Sequence, residues 1–301
     1  MNSSNCKDCH SGDKVMLKAE QVSFFNENGF LVAENLISRE LVSELRADFA
    51  TWVNESKLHE QSYGTTLDGR PRFDLEPGHS AATPALRRVA SPGEISEVYK
   101  HVMLNGAVPT AVAQLIGPNV KLHHAKINSK LPGTPTKVKW HQDFPFTPHT
   151  NDDLITALVM LDDLTEQNGP LEVVPGTHKD PICSLWHNGI FTGSVTGVVE
   201  EECHRTAVRC HGTAGSVCFM HTRLLHGSAP NLSNDPRTLF IVVYAAEDAI
   251  PLAENPLPSI FDGQLVYGVE TGKVRCIPFE IELPEKPKGA SFFTQQVQHR
   301  D

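Results

Sequence analysis

The stretch Val138-Lys139-Trp140-His141-Gln142-Asp143-Phe144 sets an imidazole and a carboxylate two residues apart on an apolar run. In an extended strand residues i and i+2 project from the same face, so His141 and Asp143 can reach one metal ion together. Further along, Leu224-Leu225-His226-Gly227-Ser228 offers a second imidazole, and Arg237 opens the apolar run Thr238-Leu239-Phe240-Ile241-Val242-Val243-Tyr244. Two histidines and one carboxylate, with coordination positions left open, are the ligand set of a non-haem Fe(II) oxygenase. The chain has 15 histidines, so a chance His-X-Asp carries little weight by itself. The second half adds the weight: a turn between His226 and Arg237 brings the guanidinium back beside the imidazole, where its fork suits a carboxylate.

The 301 residues suffice for a large core, and a net charge of -10 without a Lys/Arg cluster argues against nucleic acid as a partner. No apolar run reaches the roughly 20 residues of a membrane span, and the polar N-terminus lacks the features of a signal peptide, which leads to a cytoplasmic expectation. Seven irregularly spaced cysteines fit reduced thiols better than a disulfide framework. Cys6-Lys7-Asp8-Cys9-His10 matches the attachment pattern of c-type haem. It lies in a polar terminus with neither an export context nor a haem-burying domain in view, and residues 1–15 read as a disordered leader.

Outward from the opening stretch, the periodicities predict a helix over 16–28 closed by Asn28-Gly29, a short strand at 30–32, and a second helix capped by Ser38. Residues 60–97 show no clear period and read as a long loop carrying Arg70, Arg72, Arg87 and Arg88, either a segment that folds over the active-site mouth or a solvated surface excursion. A helix over 97–116 with a break at Pro109 follows. Beyond it, short strands separated by turns run to Tyr244, an all-strand second half. Helices first and strands afterwards predict a mainly β protein with flanking helices. We expect one domain over 16–301, with a helical buttress at 16–117, a core at 118–248 and a C-terminal extension at 249–301.

Taken in order, Trp140-His141-Gln142-Asp143, Asn168-Gly169-Pro170-Leu171-Glu172-Val173-Val174-Pro175-Gly176-Thr177-His178 and His226-Gly227-Ser228 with Arg237 resemble the phytanoyl-CoA dioxygenase family of Fe(II)/2-oxoglutarate oxygenases, which includes ectoine hydroxylase. The likeness runs from about Gln21 to Tyr244. It implies a double-stranded β-helix (jelly roll, cupin-like) core and places His141, Asp143 and His226 at the iron-ligand positions. It also implies Arg237 on the distal carboxylate of 2-oxoglutarate, with Ser228 assisting and Asn128 contacting the cosubstrate. The implied reaction hydroxylates an unactivated C–H of a small metabolite with Fe(II) and O2, while 2-oxoglutarate is decarboxylated to succinate and CO2. Related halogenases have a small residue in place of the carboxylate, so Asp143 favours hydroxylation or desaturation. Thr147 stands where ectoine hydroxylase has an aromatic residue, which argues against that substrate.

Phe146 and Thr147, just past the ligand pair, are candidates to face the substrate together with Arg72 and His124. His123, His149, His178 and His211 read as structural or surface residues. The arginines of 60–97 suit either a small anion or the phosphates of an acyl-CoA, and the overall acidity favours the small metabolite. Either a monomer or a homodimer is consistent with the chain. Two rival readings make different predictions: a cupin-like metal-binding protein or isomerase forms no succinate, and a haem protein shows a Soret band.

Overall fold

Two strands made mostly of apolar residues, Leu154–Met160 and Arg237–Ala246, are buried at every position. An antiparallel strand loses the alternation of apolar and polar residues only when both of its faces are covered. Here helices cover one face and a second sheet covers the other. The computed structural model describes residues 16–132 and 136–285, so the leader with Cys6, Cys9 and His10 lies outside the described residues.

In chain order the elements are α1 (Ala19–Asn28), β1 (Phe30–Ala33), α2 (Arg39–Ser56), β2 (Phe73–Leu75), β3 (Leu86–Ala90), α3 (Glu97–Leu104), α4 (Ala107–Ile116), β4 (Val120–Lys130), β5 (Val138–His141), β6 (Leu154–Met160) and β7 (Leu171–Val173). They continue with β8 (Trp186–His187), β9 (Ile190–Phe191), α5 (Val198–Thr206), β10 (Val208–Cys210), β11 (Val217–His221), β12 (His226–Ser228), β13 (Arg237–Ala246) and β14 (Leu265–Tyr267). The larger sheet runs β1-β11-β6-β13-β4-β3-β2, with β14 also on β4, and the smaller runs β10-β7-β12-β5. Both are antiparallel throughout, and they form the expected jelly roll.

The pleat sorts the side chains. Ala157, Val159, Phe240 and Val242 face outward and pack with Leu45, Phe49, Tyr99 and Val112 of the helices. Leu158, Met160, Leu239 and Ile241 face inward and meet Leu171 and Val173 of the smaller sheet. Where a buried aromatic carries a hydroxyl, the hydroxyl finds a carbonyl: Tyr244 donates to Met103 at 2.8 Å and Tyr99 to Leu45 at 2.9 Å.

The local signals hold at the first two helices. Gly29 closes α1 in the left-handed region (φ 78°), and the Ser38 hydroxyl accepts from the Leu41 amide to start α2. Three expectations are corrected. The break in 97–116 falls at Asn105–Gly106, and Pro109 sits in the first turn of α4, where its missing N–H costs no helical bond. Residues 60–97 contain β2 and β3, which extend the larger sheet; buried arginines at strand positions hid the pattern. The second half also holds a helix, α5, where only strands were expected.

Candidate metal centre

His141 ends β5, and His226, its partner across the pair, begins β12. Gly227 lets these strands approach, since a Cβ there would lie 3.0 Å from the Val138 carbonyl oxygen and 3.3 Å from Trp140. Asp143 joins them differently from the strand argument. It adopts a right-handed helical conformation (φ -74°, ψ -32°) just before a 3-10 turn at Phe144–Phe146. Buried Gln142 fixes this corner by donating to the Arg223 carbonyl at 2.6 Å and accepting from the Cys183 amide at 2.8 Å.

The metal-ligating atoms of His141, Asp143 and His226 all lie within 4.8 Å of one another. Each imidazole has its Nδ1 at a main-chain carbonyl, His141 on Lys139 at 2.8 Å and His226 on Leu224 at 3.0 Å. With the proton on Nδ1, the Nε2 lone pairs point inward at 3.5 and 3.6 Å from Asp143 Oδ1. Thr156 donates to the other carboxylate oxygen at 2.7 Å. Burial pushes His226 down to about 4. Burial alone would raise Asp143, but the facing His226 and His141 and nearby Lys126 hold its carboxyl well below the usual range. A carboxylate facing the Nε2 atoms of two imidazoles is the donor set that fits a divalent iron.

Two chambers meet at this triad, and Lys126, His141 and Asp143 line both. The inner one lies between the sheets and is also lined by Asn128, Thr156, Ser228 and Arg237. Buried Arg237 donates from Nε to the Gly169 carbonyl at 2.9 Å. Gly169 is itself in the left-handed region (φ 77°), and a Cβ there would meet the Ala229 carbonyl at 2.6 Å. The Asn128 Oδ1 is buried without a hydrogen-bond partner among the described residues. Lys130, which sequence reasoning missed, donates to the Ser228 hydroxyl at 2.8 Å. Burial and neighbouring Arg237 hold its ammonium well below the ordinary range. The usable signal was the i, i+2, i+4 spacing of Lys126, Asn128 and Lys130 on β4, which puts all three on one face. Thr156 gave no such signal within an apolar run.

The outer chamber is lined by Arg70, Arg88, His124, Phe146, Thr147, Val243, Pro256 and Leu257 besides the shared residues. It gathers Phe146, Thr147 and His124 from the candidates read in the sequence. Arg72 is not among its lining residues. That guanidinium is committed to Glu94 at 2.6 Å and to the carbonyls of Ala90, Ser91 and Thr65.

The phytanoyl-CoA dioxygenase (PhyH) family pattern matches residues 25–239. A probable alpha-ketoglutarate-dependent hypophosphite dioxygenase of Stutzerimonas stutzeri is 30% identical over 88% of this chain and 92% of its own length. An ectoine dioxygenase of Bordetella parapertussis is 28% identical over 76% of this chain and 75% of its own. The structure of EctD from S. alaskensis with 2-oxoglutarate and 5-hydroxyectoine shares the fold, with a TM-score of 0.65 and 22% identity over 87% of this chain and 88% of that one. The chain belongs to the phytanoyl-CoA dioxygenase family and is an iron- and 2-oxoglutarate-dependent dioxygenase.

Proposed function

We propose that His141, Asp143 and His226 hold the iron, that Arg237, Ser228 and Asn128, helped by Lys130, hold 2-oxoglutarate in the inner chamber, and that a small metabolite enters the outer one. The carrying observation is that His141 and Asp143 of the triad line both chambers, while His226 completes the cluster from the inner one. When bound, the iron supplies O2 activation, coupling decarboxylation of 2-oxoglutarate to oxidation of an unactivated C–H.

The residues provide orientation and shelter. Arg237 offers a buried fork to the distal carboxylate, and the Ser228 hydroxyl, accepting from Lys130, keeps its own proton to donate. Thr156 and the carbonyls of Lys139 and Leu224 fix the ligand side chains before any metal arrives. Phe146, which meets the His141 ring edge-on at 5.7 Å, joins Val243, Pro256 and Leu257 in excluding water from the substrate side. Among relatives whose names range from hypophosphite and ectoine dioxygenase to phytanoyl-CoA dioxygenase, the 30% identical hypophosphite dioxygenase supports a small substrate over an acyl-CoA. Five described cysteines, Cys183, Cys203, Cys210, Cys218 and Cys276, are free thiols, which supports the cytoplasm as the working compartment. No helix among the described residues is long and apolar enough to cross a membrane.

The test is anaerobic titration with Fe(II) and then 2-oxoglutarate, following the visible charge-transfer band of the chelate. The band is expected in the wild type, absent in His141→Ala and weakened in Arg237→Ala. Iron binding without a band would remove the cosubstrate assignment and favour the cupin-like reading.

A further inference from the structure

Four arginines stand close in sequence on the segment leading to the outer chamber, and three of them are neutralised. Arg70 pairs with Asp68 at 2.8 Å, Arg72 with Glu94 at 2.6 Å, and Arg87 with Asp74 at 2.7 Å and Glu76 at 3.4 Å. Arg88 is the exception. It is only 4% exposed, yet among the described residues its guanidinium makes no ion pair, and its buried Nε has no hydrogen-bond partner. The nearby carboxylates Asp74 and Asp68 are already engaged by Arg87 and Arg70. Arg88 stands on β3 opposite Asn128 of β4 and lines the outer chamber. Burial lowers its affinity for the proton to a value of about 10, which still leaves it charged at neutral pH.

A buried cation without a counter-ion is costly, and proteins keep such groups where a ligand supplies the missing charge. Arg237 shows the same state in the inner chamber: it is buried, its Nε rests on a carbonyl, and no carboxylate pairs with it among the described residues. Family membership assigns that end of the site to the carboxylate of the cosubstrate. We propose that Arg88 makes the outer chamber specific for a small substrate with an oxyanion head, a carboxylate, phosphonate or phosphinate, whose anion sits on this guanidinium while its oxidisable part lies toward His141 and Asp143. Lys126, on the shared wall, adds positive potential. Phe146, Val243, Pro256 and Leu257 give the chamber an apolar wall against which the body of the substrate can lie. This inference rests on the outer chamber being the substrate side.

Calorimetry of the anaerobic Fe(II)-loaded protein, with and without saturating 2-oxoglutarate, tests it with methylphosphonate, propionate and the neutral amide propionamide. In the wild type one of the two anions binds more tightly than the amide by about tenfold or more, as a charge-assisted contact implies, and which anion it is separates phosphorus from carbon oxyanions. Arg88→Met removes that preference, leaves the affinity for 2-oxoglutarate within about threefold, and does not lower the unfolding temperature, because the unpaired charge has no native hydrogen bond to lose. Arg88→Lys retains part of the preference. The proposal is overturned if both anions bind no better than propionamide, if Arg88→Met binds them as the wild type does, or if that variant loses 2-oxoglutarate in proportion. An unfolding temperature that drops sharply in Arg88→Met while Arg88→Lys also loses the preference would make Arg88 a structural residue and overturn it too. Failure of the dioxygenase reading shows separately, as the missing charge-transfer band.

Discussion

The inner and outer chambers share Lys126, His141 and Asp143, but the rest of their walls have different origins. Every other lining residue of the inner chamber belongs to a strand of the two sheets, from Asn128 on β4 to Arg237 on β13. The outer chamber takes Arg88 from β3 near the edge of the larger sheet, and Arg70, Pro256 and Leu257 from segments outside the strands. The match to the family pattern ends at residue 239, short of Pro256 and Leu257. The difference suggests a division of labour: chemistry common to many substrates sits on a rigid double sheet, and selection of one substrate is left to added segments. Arg70 ties these segments together, pairing with Asp68 on its own loop and donating to the Pro256 carbonyl across the mouth.

Removing the shared wall should silence both sides, and this is the largest effect expected. Asp143→Ala takes away the carboxylate of the triad; metal analysis after Fe(II) loading should show no retained iron, and 2-oxoglutarate turnover should vanish. Thr156→Val keeps the ligand and removes only the hydroxyl that orients it, so iron affinity should fall by about 10- to 100-fold. A variant at Asp143 that kept stoichiometric iron would show that the imidazoles alone define the site. A narrower break comes from Arg237→Gln, which deletes the charge at the closed end of the inner chamber. A charge-assisted hydrogen bond worth about 1.5–3 kcal/mol corresponds to a rise of roughly 10- to 150-fold in KM for 2-oxoglutarate. KM for the substrate should stay near the wild-type value, and equal losses for both would mean that the chambers are not independent.

The same division explains what the sequence made legible. His141, His226, Ser228 and Arg237 lie on or beside regular strands of the jelly roll, where short motifs and strand patterns locate a side chain. Asp143 was found for a partly wrong reason: it reaches the histidines through a helical turn, because Gln142 and Phe144 are pinned into the body of the protein. Its spacing from His141 was informative, but the extended-strand geometry was not. Arg88 and Arg72 could not be told apart in sequence, since both sit in a polar stretch with no period. Only tertiary pairing separates them, with Glu94 claiming one and no carboxylate among the described residues claiming the other. The helix α5 was missed because it has one buried residue, Cys203, so it has almost no apolar stripe to announce it.

Lys130 sharpens the comparison from inside. Its ammonium reaches no carboxylate among the described residues, and it holds Ser228 through the hydroxyl and the adjoining main-chain carbonyls. Lys130→Met should therefore raise KM for 2-oxoglutarate by a smaller factor than Arg237→Gln, about 5- to 10-fold for one hydrogen bond at second hand. Ser228→Ala in the Lys130→Met background should add little, since the two act as one unit. Additive losses, measured as a double-mutant cycle on KM, would instead give Lys130 its own contact with the cosubstrate.

The smallest expected effect concerns the wall behind the outer chamber. His149 is buried, its Nδ1 lies 2.8 Å from the carbonyl of Thr147, a chamber-lining residue, and its ring meets that of His123 at 4.9 Å. Burial pushes it from its ordinary 6.5 down to about 4, so in the folded protein it stays neutral where the unfolded chain is already protonated. As pH falls below about 6.5 the unfolded state binds the extra proton, and stability drops until about pH 4, below which both states are protonated and this contribution is flat. The slope from one such group is at most about 1.4 kcal/mol per pH unit. Half-buried His221, lowered to about 4 as well, adds to it. Unfolding temperatures of the wild type should thus decline through this window. His149→Asn, which can still donate toward Thr147, should shed about one proton of that dependence. If the slope is unchanged in His149→Asn, the acid lability belongs to other groups, and the outer wall is no more sensitive to pH than the inner one.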